Sequence, residues 1–314
     1  MRACEVPAAL AASHAMFSGE RGRAWIAALP RLAADRIDRW SLRRDGPPVC
    51  GAVALVLPVR LADGTAAVLK LQPIDDETAG EPVALHAWNG HGAVRLLRHD
   101  PDTGSMLLER LDAGRTLAGV HDDLAALATL SGILVRLNAV AAPAEIRRLS
   151  DVAAAMLDRV PRALALLPDP AERRLISGCA AAVDEVLPEP GDRLLHWDLH
   201  YDNVLARDAG ARPEAGPPSW VAIDPKPLAG DPGFELLPAL HNRWDDALAG
   251  GDVRRALRRR YDLMTEVLGL DRRRAARWTL GRVLQNLLWE TTTGTPLWHA
   301  DPDRVVARML LDLV

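Results

Sequence analysis

The spacing of hydrophobic positions changes several times along the chain, and each change marks an expected element. Within residues 1–45, Trp25, Ile26, Leu29, Leu32, Ile37 and Trp40 recur at roughly helical spacing, which predicts a helical lead-in. The texture changes at Val49. VALVLPVRLADGTAAVLKLQP is two apolar, β-rich runs joined around Asp63-Gly64, a strong hairpin signal. ETAGEPVALHAWNG predicts a helix closed by Gly90, and AVRLLRHDPDTGSMLLERL a second strand pair turning at DPDTG. Residues 49–111 therefore read as a small antiparallel sheet with one helix inserted after Lys70.

Beyond DAGRTL the period becomes mainly helical, over 119–140, 145–167 and 171–187. Pro143, Pro168-Asp169-Pro170 and Pro188-Glu189-Pro190 supply the breaks. Short strands are expected at 193–197, 204–206 and 219–223, with the Gly/Pro-rich DAGARPEAGPPS as a surface loop. Helices follow at 235–249, 252–268, 271–290 and 302–313. This is an α+β order without internal repeats. A sheet-based lobe over 1–113 (lead-in 1–45, sheet 49–111) passes through a connector at Leu111–Gly114 into a mainly helical lobe over 114–314. A cleft is expected between the two.

Composition narrows the function classes. The chain has 314 residues, 49% hydrophobic and 25% charged, as ordinary globular proteins do. A net charge of −4 argues against general affinity for nucleic acid or anionic membrane. Cys4, Cys50 and Cys179 are few and widely spaced, which suits free thiols in a reducing cytoplasm. No run approaches the roughly 20 apolar residues of a membrane-spanning helix. VPAALAASHAMF lacks a convincing cleavage site and reads as the first helix of a cytoplasmic protein. Of 38 basic residues only Lys70 and Lys226 are lysine, so a drift towards arginine has spared two positions.

LLHWDLHYDNVLA, Leu194 to Ala206, packs five polar groups between apolar ends, and two chemistries fit it. In an extended chain His196, Asp198 and His200 share one face and resemble metallohydrolase ligands, but no second His/Asp cluster has ligand-like spacing. The alternative is H-x-D-x-x-x-x-N. Phosphoryl transfer needs a carboxylate to orient the attacking hydroxyl, and oxygen ligands to hold Mg²⁺ against nucleotide phosphates. Asp198 suits the first need and Asn203 the second. Asp224 follows the apolar strand Trp220–Ile223 as a further metal ligand, 26 residues after Asp198. Lys70, ending the hairpin in AVLKL, is the cation for the phosphates, with Glu81 as its carboxylate partner and Glu77 as the fallback.

Lys70, Glu81, HWDLHYDN, AIDPKP and GDPGFELLPALHNRW together resemble the aminoglycoside phosphotransferases, in the streptomycin 6-phosphotransferase and hydroxyurea phosphotransferase branch. The resemblance runs from about Trp40 to the carboxy terminus. It implies a bilobal, protein-kinase-like fold and transfer from ATP to an alcohol. It also implies Asp198 as catalytic base, Asn203 and Asp224 as Mg²⁺ ligands, and Lys70 with Glu81 as the phosphate-anchoring pair. Leu107 to Leu111, including Glu109 and Leu111, becomes the hinge whose backbone meets adenine. No G-x-G-x-x-G precedes Lys70, where DGPPVCGAVAL offers only Gly46 and Gly51.

Other conspicuous residues have two readings each. His196 and His200 are expected to buttress the loop. Lys226 either touches phosphate or substrate or forms a surface salt bridge. Asp231 and Glu235 either cap the next helix and brace the loop or bind acceptor. Between Asp198 and Asp246 nine acidic residues face four basic ones, a net of −5 that suits a cationic sugar such as an aminoglycoside. Asp245, Asp246 and Glu290 are further acceptor candidates, and Trp244, Trp289 and Trp298 either line the pocket or belong to the core. The leading acceptor is streptomycin or a related aminoglycoside, with hydroxyurea next. The rivals are a metallohydrolase and a kinase-like protein that binds without catalysis.

Overall fold

A computed structural model describes residues 5–51, 53–207, 219–294 and 299–314. Two helices, α1 (Ala8–Phe17) and α2 (Gly19–Arg39), precede a six-stranded antiparallel sheet. Its strands are β1 (Arg43–Arg44), β2 (Val49–Cys50), β3 (Leu55–Arg60), β4 (Ala66–Leu71), β5 (Leu96–Asp100) and β6 (Ser105–Glu109), with α3 (Glu81–Trp88) inserted after β4. The order is β1-β3-β4-β6-β5, and β2 also pairs with β3. Pro47 and Pro48 separate β1 from β2, because neither ring nitrogen can donate to the ladder. The β3–β4 turn contains Gly64 at φ 88, a left-handed position that glycine adopts without a steric penalty.

Strand alternation sorts the sheet's two faces. Ala67, Leu69 and Leu71 of β4 join Leu55, Leu57 and Val59 against Leu10, Leu29 and Ala33 of the lead-in helices. Each such side chain, once buried, contributes about 1.5–3 kcal/mol of hydrophobic stabilisation. The opposite face of β4 carries Val68 and Lys70, and it turns towards α3 and the helical lobe. Period-two geometry thus puts a lysine inside the molecule while its neighbours complete an apolar core.

The chain leaves the sheet through β7 (Leu111–Thr116), followed by α4 (Asp123–Asn138), α5 (Leu149–Leu166) and α6 (Pro170–Val186). Four short strands come next: β8 (Arg193–Leu195), β9 (Val204–Arg207), β10 (Trp220–Ala222) and β11 (Leu228–Gly230). The lobe ends with α7 (Leu237–His241), α8 (Trp244–Ala249), α9 (Val253–Leu268), α10 (Arg272–Thr293) and α11 (Ala300–Leu311). α10 is central, with Trp278, Leu280, Val283, Leu284, Leu287 and Leu288 all buried. Among the described residues no helix is long and apolar enough to cross a membrane. Cys50 and Cys179 are free thiols, whereas Cys4, Trp298 and all but the last residue of the Gly/Pro-rich loop lie outside the described residues.

Three expectations change. The connector at Leu111–Gly114 is a strand, β7, that pairs with β9 and so ties the crossing point to the segment carrying Asn203 in the helical lobe. β11 pairs with β8 although its three residues, Leu-Ala-Gly, carry no pattern of their own. The helix expected over 235–249 is broken into α7 and α8. The buried Arg260 guanidinium explains the break, donating to the carbonyls of Leu240, Asn242 and Arg243 at 3.2, 2.9 and 3.0 Å. Carbonyls freed at the end of α7 are thereby satisfied without a continuing helix.

Candidate active site

Lys70 links the two lobes. Its ammonium donates to both carboxylate oxygens of Glu81, at 2.7 and 2.8 Å, and also to Asp224 from the other side of the cleft. Gln72, two residues on and on the same strand face, donates to Glu81 at 2.6 Å. Burial works against the lysine's charge, yet Asp224 and Glu81 outweigh it and raise its pKa to about 12. Lys70 therefore stays an ammonium, with Glu81 holding its flexible stem. Glu77 does not share this role.

The loop that carries Asp198 follows β8, and buried backbone bonds fix its shape. Glu235 is fully buried, and its Oε2 accepts from the backbone N–H of His196 at 2.6 Å and of Trp197 at 2.9 Å. Trp197 adopts φ 66, a left-handed conformation that costs a bulky residue roughly 1–2 kcal/mol. The Glu235 bonds offset that strain, as does packing of the indole between two guanidiniums, Arg147 at 5.0 Å and Arg282 at 5.4 Å from the ring centroid. The turn places Asp198 at the cleft.

His196 is a strut. It is wholly buried, lies flat against Trp88, and shares its Nε2 proton with the Ile223 carbonyl at 3.0 Å. With the proton on Nε2, Nδ1 is the acceptor that faces the Asp198 N–H at 3.4 Å. Burial lowers its pKa to about 4, so the ring is neutral. The strand before Asp224 and the loop carrying Asp198 are thus joined through one imidazole. Both of its nitrogens are used inside the chain, and His200 is turned to Asp202 at 3.6 Å, so the hydrolase set of His196, Asp198 and His200 does not form.

Asn203 closes the loop, donating from Nδ2 to the Asp198 carbonyl at 3.0 Å and leaving Oδ1 as its available ligand atom. The pairing of β9 with β10 carries Asn203 beside Asp224, and the Ile223 N–H donates to the Asn203 carbonyl at 2.9 Å. Asp224 has φ 61 and is held ionised chiefly by Lys70, against the cost of burial. Burial opposes the charge of Asp198 too, but Lys226 and Arg282 more than compensate and lower its pKa. The Asp224 carboxylate and the Asn203 amide oxygen are hard oxygen donors of the kind that fits Mg²⁺.

Among the described residues the one cluster with metal-capable spacing is elsewhere, at His241, His299 and Asp303. Both imidazole Nδ1 atoms meet the Asp303 carboxylate, at 2.6 and 2.7 Å, and Asn286 donates to it at 2.7 Å. The two rings are stacked 4.3 Å apart and nearly parallel, at 19°. Parallel rings do not direct two nitrogens towards one ion along the diverging directions of a tetrahedral site. The cluster braces α7 and α10 against α11.

The remaining expected site residues are placed as follows. Glu109 ends β6, where its carboxylate takes the Arg95 N–H at 2.9 Å and Arg207 at 3.1 Å. Leu111 is half-buried at the start of β7. β2 and β3 pair antiparallel, Val49 with Val56 and Cys50 with Leu55, and the Gly51 N–H donates to the Ala54 carbonyl at 3.1 Å.

Three of the acceptor candidates make bonds within the fold. Glu235 is the loop anchor, as the bracing alternative expected, Asp231 caps the next turn through the Gly233 N–H at 2.8 Å and pairs with Arg274 at 2.7 Å, and Glu290 pairs with Arg304 at 3.1 Å. Asp245 and Asp246 are exposed on α8, the latter 2.6 Å from Arg243. Trp244 and Trp289 are half-buried, Trp244 against the core. The sequence left Lys226 ambiguous and missed Arg147 and Arg282, which are indistinguishable from 34 other arginines until folded.

The chain is similar to known proteins over most of its length. The family model of the aminoglycoside/hydroxyurea antibiotic resistance kinases matches residues 39–294. A streptomycin 6-kinase of Streptomyces glaucescens is 58% identical over 291 residues, covering 93% of this chain and 92% of the relative. A hydroxyurea phosphotransferase of Kitasatospora aureofaciens is 53% identical over 305 residues, 96% of this chain and 84% of the relative. An aminoglycoside phosphotransferase crystallised with ADP and hygromycin B superimposes with TM-score 0.58 at 15% identity, over 89% of this chain and 97% of that one. That last likeness concerns the fold.

Proposed function

The chain belongs to the aminoglycoside/hydroxyurea antibiotic resistance kinases, and from that premise we propose that it transfers the γ-phosphoryl group of ATP to a hydroxyl of streptomycin or a related aminoglycoside. One observation carries the reading: Lys70, held by Glu81, reaches across the cleft to Asp224. A buried ammonium meeting a strand-terminal carboxylate is the arrangement that anchors nucleotide phosphates and their metal.

In this reading Asn203 and Asp224 would hold Mg²⁺, which would supply positive charge to offset the phosphate oxygens. Lys70 moves from Asp224 towards the α and β phosphates while Glu81 keeps its stem in place. Asp198, fixed by the Glu235-anchored backbone, orients the acceptor hydroxyl and receives its proton. The transition state is loose, so the protein contributes positioning and electrostatics more than covalent chemistry.

The acceptor assignment follows the streptomycin 6-kinase relative; hydroxyurea is the second reading, favoured by the 53% identical hydroxyurea phosphotransferase. A panel of streptomycin, other aminoglycosides and hydroxyurea with MgATP decides between them. ADP release and a product heavier by one phosphoryl group are expected with streptomycin. Absence of transfer to every member would refute the proposed activity.

A further inference from the structure

Lysine is the rare cation of this chain, two residues among 38 basic ones, and both lysines meet the cleft's aspartates. Lys70 takes Asp224. Lys226 stands 3.3 Å from Oδ2 of Asp198 and 3.4 Å from Oε2 of Glu77, which projects from the sheet lobe. Its backbone N–H donates to the His196 carbonyl at 3.0 Å, so the turn after Asp224 and the catalytic loop are fastened together at this point. The position of its stem relative to Asp198 is therefore set by the fold.

Both contacts are longer than the 2.7–2.9 Å or so of a tight ammonium–carboxylate hydrogen bond. The ammonium is shared between two carboxylates and committed to neither, and the side chain is 41% exposed towards the cleft. Burial works against its charge, but Asp198 and Glu77 outweigh it and keep it protonated. A guanidinium here would fork onto the Asp198 carboxylate and occupy both its oxygens. A compact ammonium with rotatable donors can instead bond one carboxylate oxygen and one phosphate oxygen together.

We propose that Lys226 is a catalytic residue, whose Nζ holds an equatorial oxygen of the transferring γ-phosphoryl group beside the acceptor hydroxyl. This rests on the phosphotransferase reading above. In the step, the acceptor oxygen forms its bond to phosphorus as the bond to the β-phosphate oxygen breaks, and that electron pair leaves on ADP. The hydroxyl proton passes to Asp198. Lys226 forms no covalent bond; it follows the charge of the moving group while staying next to the base. Glu77 competes for the same ammonium, so nucleotide entry exchanges one anionic partner for another.

Steady-state kinetics and a transition-state analogue test this on Lys226→Met and Lys226→Arg. The methionine variant is expected to lose about 100-fold in kcat while KM for ATP stays within about threefold, and arginine, whose fork occupies Asp198, to recover little of that loss. Removing the cation also raises the pKa of Asp198, so the acid limb of kcat moves to higher pH. Independently of any acceptor, Lys226→Met should bind MgADP like the wild type but bind MgADP with aluminium fluoride about 100-fold more weakly. Equal analogue affinity in the two proteins overturns the role of Lys226. A wild type that binds neither MgATP nor the analogue overturns the phosphotransferase reading instead.

Discussion

Glu235 shows how strongly the catalytic loop is tied to burial, and its titration makes that measurable. Its carboxylate is fully buried and holds the N–H groups of His196 and Trp197. Burial pushes its pKa from 4.5 up to about 7, against the opposing effect of those bonds. Unfolded chains lose this proton near 4.5, while the folded protein retains it until about 7. The resulting stabilisation is complete below 4.5 and lost as the pH rises through the folded value. Each pKa unit is worth about 1.4 kcal/mol, so the full change is about 3 kcal/mol. Glu235→Gln keeps an oxygen for both N–H groups and cannot ionise. Urea unfolding of both proteins at about pH 4.5 and about pH 8.5 should show the wild type losing about 3 kcal/mol relative to the glutamine variant. Parallel stability curves would refute the assignment. Glu235→Leu, by contrast, strands two buried N–H groups and should lower kcat at least about tenfold where Glu235→Gln retains it.

Asp198→Ala is expected to lose kcat by about 10³-fold with MgATP affinity close to wild type; wild-type-like turnover contradicts the base assignment. Lys70→Met leaves Glu81 as an unpaired buried carboxylate and should destabilise by about 3–5 kcal/mol, which Glu81→Gln relieves in the double variant without restoring turnover, as melting and kinetic assays would show. Chelation by EDTA should abolish transfer, and added Mg²⁺ should restore it in the wild type but not in Asp224→Ala. Gly233→Ala places its Cβ 2.7 Å from the Ala275 Cα, a backbone atom of α10, and should destabilise by about 1–3 kcal/mol in urea titrations.

Much of the fold is legible in hydrophobic spacing because the elements are long and amphipathic. The β3–β4 hairpin, α3 and the long helices of the carboxy-terminal lobe follow period two or 3.6 with clear Gly and Pro breaks. β11 and β7 escape, since strands this short or this polar exist through their partners, β8 and β9. The broken helix at Asn242–Arg243 escapes as well, because Arg260 lies some seventeen residues away and its carbonyl bonds have no local signature.

The site divides in the same way. Sequence alone determined that Lys70, Glu81, Asp198, Asn203 and Asp224 are candidates, because each sits in a short motif whose residue types and spacing answer a need of phosphoryl transfer. Only the tertiary structure decided who partners whom. It assigned Glu81 to Lys70 and Glu77 to Lys226, turned Asp231, Glu235 and Glu290 inwards as braces, and set Arg147 and Arg282 against Trp197. A carboxylate's role depends on which donors surround it and how much water remains, and donors brought together from distant segments are not encoded in any local stretch of the chain.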